Sequence, residues 1–309
     1  MPELPEVENL RRGLARTIVG QKIKRVEVRK PKLVSGKGNV RVASFKKTRE
    51  FTREIPGEKI ISVERRAKNL IFKLSHVKII LAHLKMSGQF AYLPRQGRGE
   101  PKKIIGGHPI KLSETELPNK HTHIIFKLDK GILYYNDTRM FGYLLYYPSA
   151  EKFEAESHFG AHGLEPLSRD FTARYLRDAL KNKKVRARGR AGKIKAVLME
   201  QKIVVGLGNI YADETLFEAR IRPDRRAVSL TQIEVKALSE AIKRIMKRAI
   251  RTGGSSVATY RLLDNTRGNY AREHKVYGRA GKLCVRCKKP LQKITIQNRT
   301  TIFCPRCQK

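Results

Sequence analysis

Hydrophobic residues change their spacing twice along this chain. After Pro5, Val7, Leu10, Leu14 and Ile18 recur at intervals of three and four, with glutamates early and Arg11, Arg12 and Arg16 later. This is the period of an amphipathic helix with its charges set along the dipole, and it predicts a helix over residues 5–19. Short runs rich in Val, Ile, Phe and Tyr then take over, at 23–28, 60–63, 70–74, 78–86, 123–128, 132–135 and 143–147. They predict antiparallel strands, with Asp129-Lys130-Gly131 as hairpin chemistry between two of them. Many short strands with tight turns point to a sandwich or barrel rather than a parallel sheet. Beyond Pro148 the period is helical again, over 171–181, 194–202, 210–219 and 232–251, the last stopped by Gly253-Gly254. Residues 95–117 and 257–275 carry the Gly, Pro, Asn and Asp content of loops. The fold class expected is α+β: a leading helix and a β-sandwich or barrel over 1–148, a helical domain over 149–256, and a terminal segment over 257–309.

Composition adds a partner to this picture. Of 309 residues 40% are hydrophobic, enough for a sizeable core, which excludes collagen, mucin and bulk disorder. Lys and Arg number 67 against 28 Asp and Glu, a formal charge of +39, far beyond what solubility needs. A polyanion is the expected partner. No run approaches 18 apolar residues, and Glu3, Glu6 and Glu8 occupy the place where a secretory signal carries positive charge. A soluble cytoplasmic protein with no membrane partner is expected.

All four cysteines lie near the end, as Cys284-Val285-Arg286-Cys287, sixteen residues, then Cys304-Pro305-Arg306-Cys307. Two such pairs set four thiolates on two knuckles of a hairpin, the closed tetrahedral set of one structural Zn2+ with no position left for a catalytic water. The plain alternative, buried thiols or disulfides, sits poorly with Lys282, Arg286, Lys288, Lys289 and Arg306 interleaved among them. Between Lys181 and Lys195 eight of fifteen residues are basic, which is either a solvated arm or a nucleic-acid contact. Gly206-Leu207-Gly208-Asn209 opens a helix and could offer its amides to an anion, or merely connect.

The N-terminus carries the chemistry. Once Met1 is removed, Pro2 is a terminal secondary amine, partly unprotonated at neutral pH and usable as a nucleophile. Its adduct with an aldehyde-level carbon is an iminium with no N–H to lose, so it stays cationic and accepts electrons during elimination. Glu3 beside it could serve as acid or base. The plainer reading, that Pro2 and Pro5 stiffen a helix entrance, is the one these residues alone favour. Lys68, in Arg65-Arg66-Ala67-Lys68, is either an exposed hairpin charge or a site lysine. Met86 and the pair Arg139 and Phe141 lie at strand ends, where apolar tips either pack the core or wedge between base steps.

Taken in order, Met1 to Glu8, Arg65 to Lys68, Met86-Ser87-Gly88, Lys120 to His123, Asp137 to Gly142, Gly206 to Glu214, Val276 to Arg279 and the cysteine hairpin resemble the formamidopyrimidine-DNA glycosylase family across essentially the whole chain. The resemblance implies a helix-two-turns-helix element in the helical domain, a zinc hairpin after a lesion-covering loop, and monomeric action on double-stranded DNA containing an oxidised purine. It implies a glycosylase and abasic-site lyase that flips the base. Pro2 would attack C1′ and Glu3 donate a proton; Lys68 would move a proton in β-elimination and Arg299 serve δ-elimination. Phosphate contacts would fall to His121, Asn209 and Arg190, with Lys195 beside them. Met86, Arg139 and Phe141 would fill the vacated space, Arg139 facing the orphan cytosine. The rival readings are the endonuclease VIII branch, which prefers oxidised pyrimidines, and a non-catalytic zinc-ribbon binder, which leaves Pro2, Glu3 and Lys68 unexplained.

Overall fold

The structure is a computed structural model that describes residues 1–36, 40–95, 104–107 (backbone only), 117–181, 192–255 and 268–309. Arg190 and nearly all of the expected lesion-covering loop lie outside the described residues. The chain divides into two compact units, 1–160 with 255–268, and 161–254 with 269–309.

The first unit opens with helix α1 (Leu4–Ile18), which buries the expected stripe of Val7, Leu10, Leu14 and Ile18. Each such side chain contributes about 1.5–3 kcal/mol of apolar burial. Gly20, at φ +84°, turns the chain into β1 (Ile23–Val28). Helix α2 (Phe45–Glu54) follows, then β2 (Ile60–Arg66), β3 (Asn69–Leu74), β4 (Ile79–His83), β5 (Gly88–Pro94), β6 (Ile104–Gly107), β7 (Thr122–Leu128), β8 (Gly131–Asp137), β9 (Tyr143–Tyr147) and the short helix α3 (Ala150–Glu156). All pairings are antiparallel, in two sheets ordered β1-β7-β8-β5-β6 and β2-β3-β4-β9. Between them the rings of Phe72, Phe90 and Tyr135 meet at a tilt of 58°, with centroids 5.6 and 5.2 Å apart, in the core that α1 also covers.

Three departures from the periodicity have local causes. The apolar run 78–86 is a strand and then a turn, because Lys85 is left-handed (φ 50°) and Leu84 O accepts the Gly88 amide at 2.9 Å. Strand β5 escapes notice because Gln89 interrupts its apolar run; the side chain is fully buried and accepts from Asn136 Nδ2 at 2.9 Å. Helix α2 has no stripe to find, since Phe51 is its one buried side chain, and it starts on the Ser44 cap.

The second unit holds α4 (Ala173–Lys181), α5 (Ile194–Met199), α6 (Asn209–Glu218) and α7 (Gln232–Arg251). Thr231 caps α7 with Glu234 in a reciprocal box. The hairpin of β10 (Gln292–Ile296) and β11 (Arg299–Phe303) completes it. Its two-residue loop, Gln297-Asn298, has φ 47° and 58°, the left-handed pair of a tight hairpin turn.

Candidate active site and nucleic-acid interface

Pro2 and Glu3 precede α1, and both are buried. Glu3 is the extended residue (φ −99°, ψ −173°) from which the helix starts, and its amide donates to Glu6 Oε2 at 2.8 Å. Glu6 is itself 2% exposed, and its other oxygen accepts the Ser255 amide at 2.6 Å. The residues that carry the expected chemistry are thus set by a carboxylate one turn into the helix.

A second carboxylate on α1 reaches strand β2, which leads to Lys68. Glu8 bonds Arg11 (2.9 Å), Arg12 (2.8 Å) and, from strand β2, Arg65 Nε (3.1 Å). Burial raises its pKa, but the bonds from Arg11 and Arg12 and the attraction of Arg65 outweigh that and hold it below the ordinary range. Arg65 also donates to Ala67 O at 3.0 Å. Ala67 stands at φ 54°, a strained region for a residue with a Cβ, in the two-residue loop closed by the Arg66–Asn69 pair. Arg65 therefore fixes the tight turn that presents Lys68, and Lys68 is 6% exposed rather than a loose hairpin charge. Across β3, Asn69 pairs with His83. Burial, then Lys85 and Lys68, press the His83 pKa well below its usual value, so the ring is neutral. Its Nδ1 accepts from the Lys85 amide at 2.9 Å, which assigns the proton to Nε2. Periodicity alone does not single out Glu6, Glu8 or His83; the signal of the two glutamates is charge on a helix face otherwise devoted to packing.

The turns between β4 and β5 and between β8 and β9 carry Met86, Arg139 and Phe141. Met86 is 40% exposed and Phe141 51% exposed, so neither packs the core. Arg139 lies over the Phe141 ring at 4.9 Å. His121, half-buried before β7, is held by Asn119 Oδ1 on its amide (2.9 Å) and by the Asp137 amide on its carbonyl (3.0 Å).

In the second unit Gln201, left-handed at φ 61°, builds the turn before α6: it accepts from the Gly206 amide and donates to Leu207 O, both at 2.7 Å. Asn209 opens α6 but spends an amide hydrogen on Thr300 O at 3.1 Å. Lys195 departs further from its expected phosphate contact. It is 1% exposed, and its ammonium bonds Asp213 (2.7 Å), Thr301 Oγ1 (2.8 Å) and Thr300 O (3.1 Å). Water cannot hydrate a charge at that site, so it is neutralised inside the unit and supports strand β11 instead. Asp213 also accepts the Ile302 amide at 3.2 Å. Its neighbour Glu214 accepts the amides of Lys275, Val276 and Tyr277. Two consecutive acids of α6 thus anchor the hairpin and the segment leading to it. Arg299, the first residue after the hairpin turn, is exposed.

The four sulfurs converge as expected, all within 4.8 Å of one another. Cys284–Cys307 is 3.9 Å and Cys287–Cys304 3.4 Å, near the edge of a tetrahedron of bonds about 2.3 Å long. The Arg286 and Cys307 amides donate to the Cys284 and Cys304 sulfurs at 3.4 and 3.3 Å, which favours thiolates. The donor set fits one structural zinc and closes its coordination.

Family models match in the same order: the formamidopyrimidine-DNA glycosylase N-terminal domain at 1–144, its H2TH domain at 162–261, and a zinc finger found in FPG and IleRS at 281–309. A formamidopyrimidine-DNA glycosylase of Carboxydothermus hydrogenoformans is 40% identical over 309 residues, and one of Listeria monocytogenes 39% over 310, each covering all of both chains. Among solved structures, Lactococcus lactis Fpg with abasic-site DNA aligns at TM-score 0.80 over 99% of each chain. A point mutant of that protein with Fapy-dG DNA aligns at 0.81 over 100% of each, and both are 34% identical. A further complex of the Lactococcus lactis protein holds DNA with an oxidised pyrimidine. Whole-length identity, fold and thiolate set agree: this chain belongs to the formamidopyrimidine-DNA glycosylase family.

Proposed function

We propose that this protein is a DNA glycosylase with abasic-site lyase activity that removes oxidised purines from duplex DNA in base excision repair. The observation that carries the reading is the chain Glu8–Arg65–Ala67, which ties the helix bearing Pro2 and Glu3 to the turn bearing Lys68. A structural binder has no use for a buried lysine in a turn tied to the helix that follows a buried N-terminal proline.

In this reading the freed Pro2 nitrogen attacks C1′ of the flipped nucleotide while the bond from C1′ to the base breaks. The base leaves with the electron pair and takes a proton, and Glu3 supplies the proton that opens the sugar. The product is an iminium between Pro2 and C1′. Loss of a C2′ proton then breaks the C3′–O bond and expels the 3′ phosphate, with Lys68 moving the proton, and loss of the C4′ proton breaks the C5′–O bond and expels the 5′ phosphate in a second elimination served by Arg299. Hydrolysis of the iminium returns Pro2. Met86, Arg139 and Phe141 fill the gap, Arg139 against the orphan cytosine, and His121 and Asn209 contact phosphates. Zinc takes no part in the reaction and keeps the hairpin folded.

The Lactococcus lactis complex with an oxidised pyrimidine favours testing a wider substrate range. Excision from duplexes carrying 8-oxoguanine, a formamidopyrimidine or an oxidised pyrimidine opposite a fixed base distinguishes the two. Preference for the purines supports the proposal, and preference for the pyrimidine moves the enzyme to the other branch.

A further inference from the structure

Met86 and the pair Arg139 and Phe141 sit on two crossings between the sheets that run side by side. The turn from β4 to β5 starts beside Tyr143 and ends beside Asp137, while the turn from β8 to β9 makes the reverse passage; the register pairs His83 with Tyr143 and Gly88 with Asp137. At the seam lies the Asp137 side chain, 0% exposed. Its Oδ1 accepts the Ser87 hydroxyl at 2.5 Å and the Arg139 amide at 3.1 Å, and its Oδ2 accepts the Gly142 amide at 2.7 Å. The Ser87 oxygen in turn accepts from the Arg139 amide at 3.0 Å.

Both turns also close over one hydroxyl. A Cβ at Gly142 would stand 1.9 Å from Tyr135 Oη and 2.9 Å from Asp137 Oδ2, and one at Gly88 would stand 2.7 Å from the same Tyr135 oxygen. The two turns thus share an acceptor, Asp137, and a floor, Tyr135.

We propose that Asp137, with Ser87, is a positioning residue that locks the two turns together, so that Met86, Arg139 and Phe141 enter DNA as one rigid unit. The inference rests on the reading of those three as the residues that fill the vacated space. All of the partners named for the carboxylate are donors, so an ionised carboxylate satisfies each of them. An amide offers one oxygen and turns an NH2 toward a donor.

The test is single-turnover excision of 8-oxoguanine opposite cytosine and opposite adenine by Asp137→Asn, Ser87→Ala and Arg139→Ala. Each rate is divided by that preparation's rate at a preformed abasic site in single-stranded DNA, so that a misfolded fraction cancels. Asp137→Asn is expected to lower the normalised rate roughly tenfold and Ser87→Ala less. In both, the cytosine-to-adenine ratio should fall toward that of Arg139→Ala. If Arg139→Ala loses discrimination while Asp137→Asn and Ser87→Ala keep it, the locking role is wrong. If Arg139→Ala itself keeps discrimination, the reading of the three residues fails, and the inference with it.

Discussion

Glu6 and Ser255 are 249 positions apart, yet the Glu6 carboxylate accepts the Ser255 amide at 2.6 Å while its other oxygen accepts the Glu3 amide. One buried side chain holds both the start of the N-terminal helix and the backbone at Ser255. Glu6→Gln leaves one acceptor oxygen for two amides, a loss of about 1–3 kcal/mol at a buried donor. Single-turnover excision should slow about tenfold or more. An unchanged rate would show that Glu3 does not depend on this bond.

The pair Lys195 and Asp213 makes a sharper energetic prediction. Burial pushes Asp213 up to about 7, and the Lys195 ammonium and the Ile302 amide oppose that rise, so the two charges depend on each other. Asp213→Asn strands a buried ammonium and should cost about 3–5 kcal/mol, read as a lowered Tm. Adding Lys195→Met should restore much of the loss. Additive losses in the double variant would mean the two residues act separately.

His274 sets a pH dependence. Its ring meets Tyr270 at 5.7 Å and Tyr277 at 5.5 Å, and burial lowers its pKa to about 4 against an opposing bond to the Tyr277 backbone. Between about pH 4 and 6.5 the unfolded chain binds a proton that the folded chain refuses, so stability rises with pH across that window and is lost as pH falls. The contribution is at most about 3 kcal/mol. Wild type should lose more stability than His274→Phe between pH 7 and pH 5, both measured by denaturant titration. Parallel curves would exclude the histidine as the cause.

Zinc removal should act on the second unit without entering the reaction. Cys304→Ser is expected to lower zinc content and DNA affinity together, because the cluster of Cys284, Leu291, Ile302 and Cys304 packs on Phe217 of α6. Normal binding and cleavage by a zinc-free variant would contradict the structural role.

The sequence is most legible where a residue type has one use. Four cysteines in two pairs and the stripe from Val7 to Ile18 leave little choice, and both stand as expected. Lys195 misleads because a lysine in a basic run looks solvated; its partner Asp213 lies eighteen positions away, on another helix. Strand β5 is hidden by Gln89, whose side-chain oxygen accepts from Asn136 across the sheet. The Asp137 seam is half local: the Arg139 and Gly142 amides lie in the turn that Asp137 opens, but Ser87 donates from fifty positions away and nothing near it shows that. Long-range polar satisfaction carries no period along the chain, and period is what a single sequence displays.

At the centre of the proposed chemistry, the Pro2 nitrogen forms the covalent bond to DNA. Borohydride added during reaction with a duplex carrying one 8-oxoguanine opposite cytosine would reduce the iminium and trap it. The expected result is a single cross-linked species whose digest yields an N-terminal peptide beginning at Pro2 and bearing the sugar, absent when Met1 is retained. Excision without any cross-link, or a cross-link on Lys68 or another lysine, would contradict it.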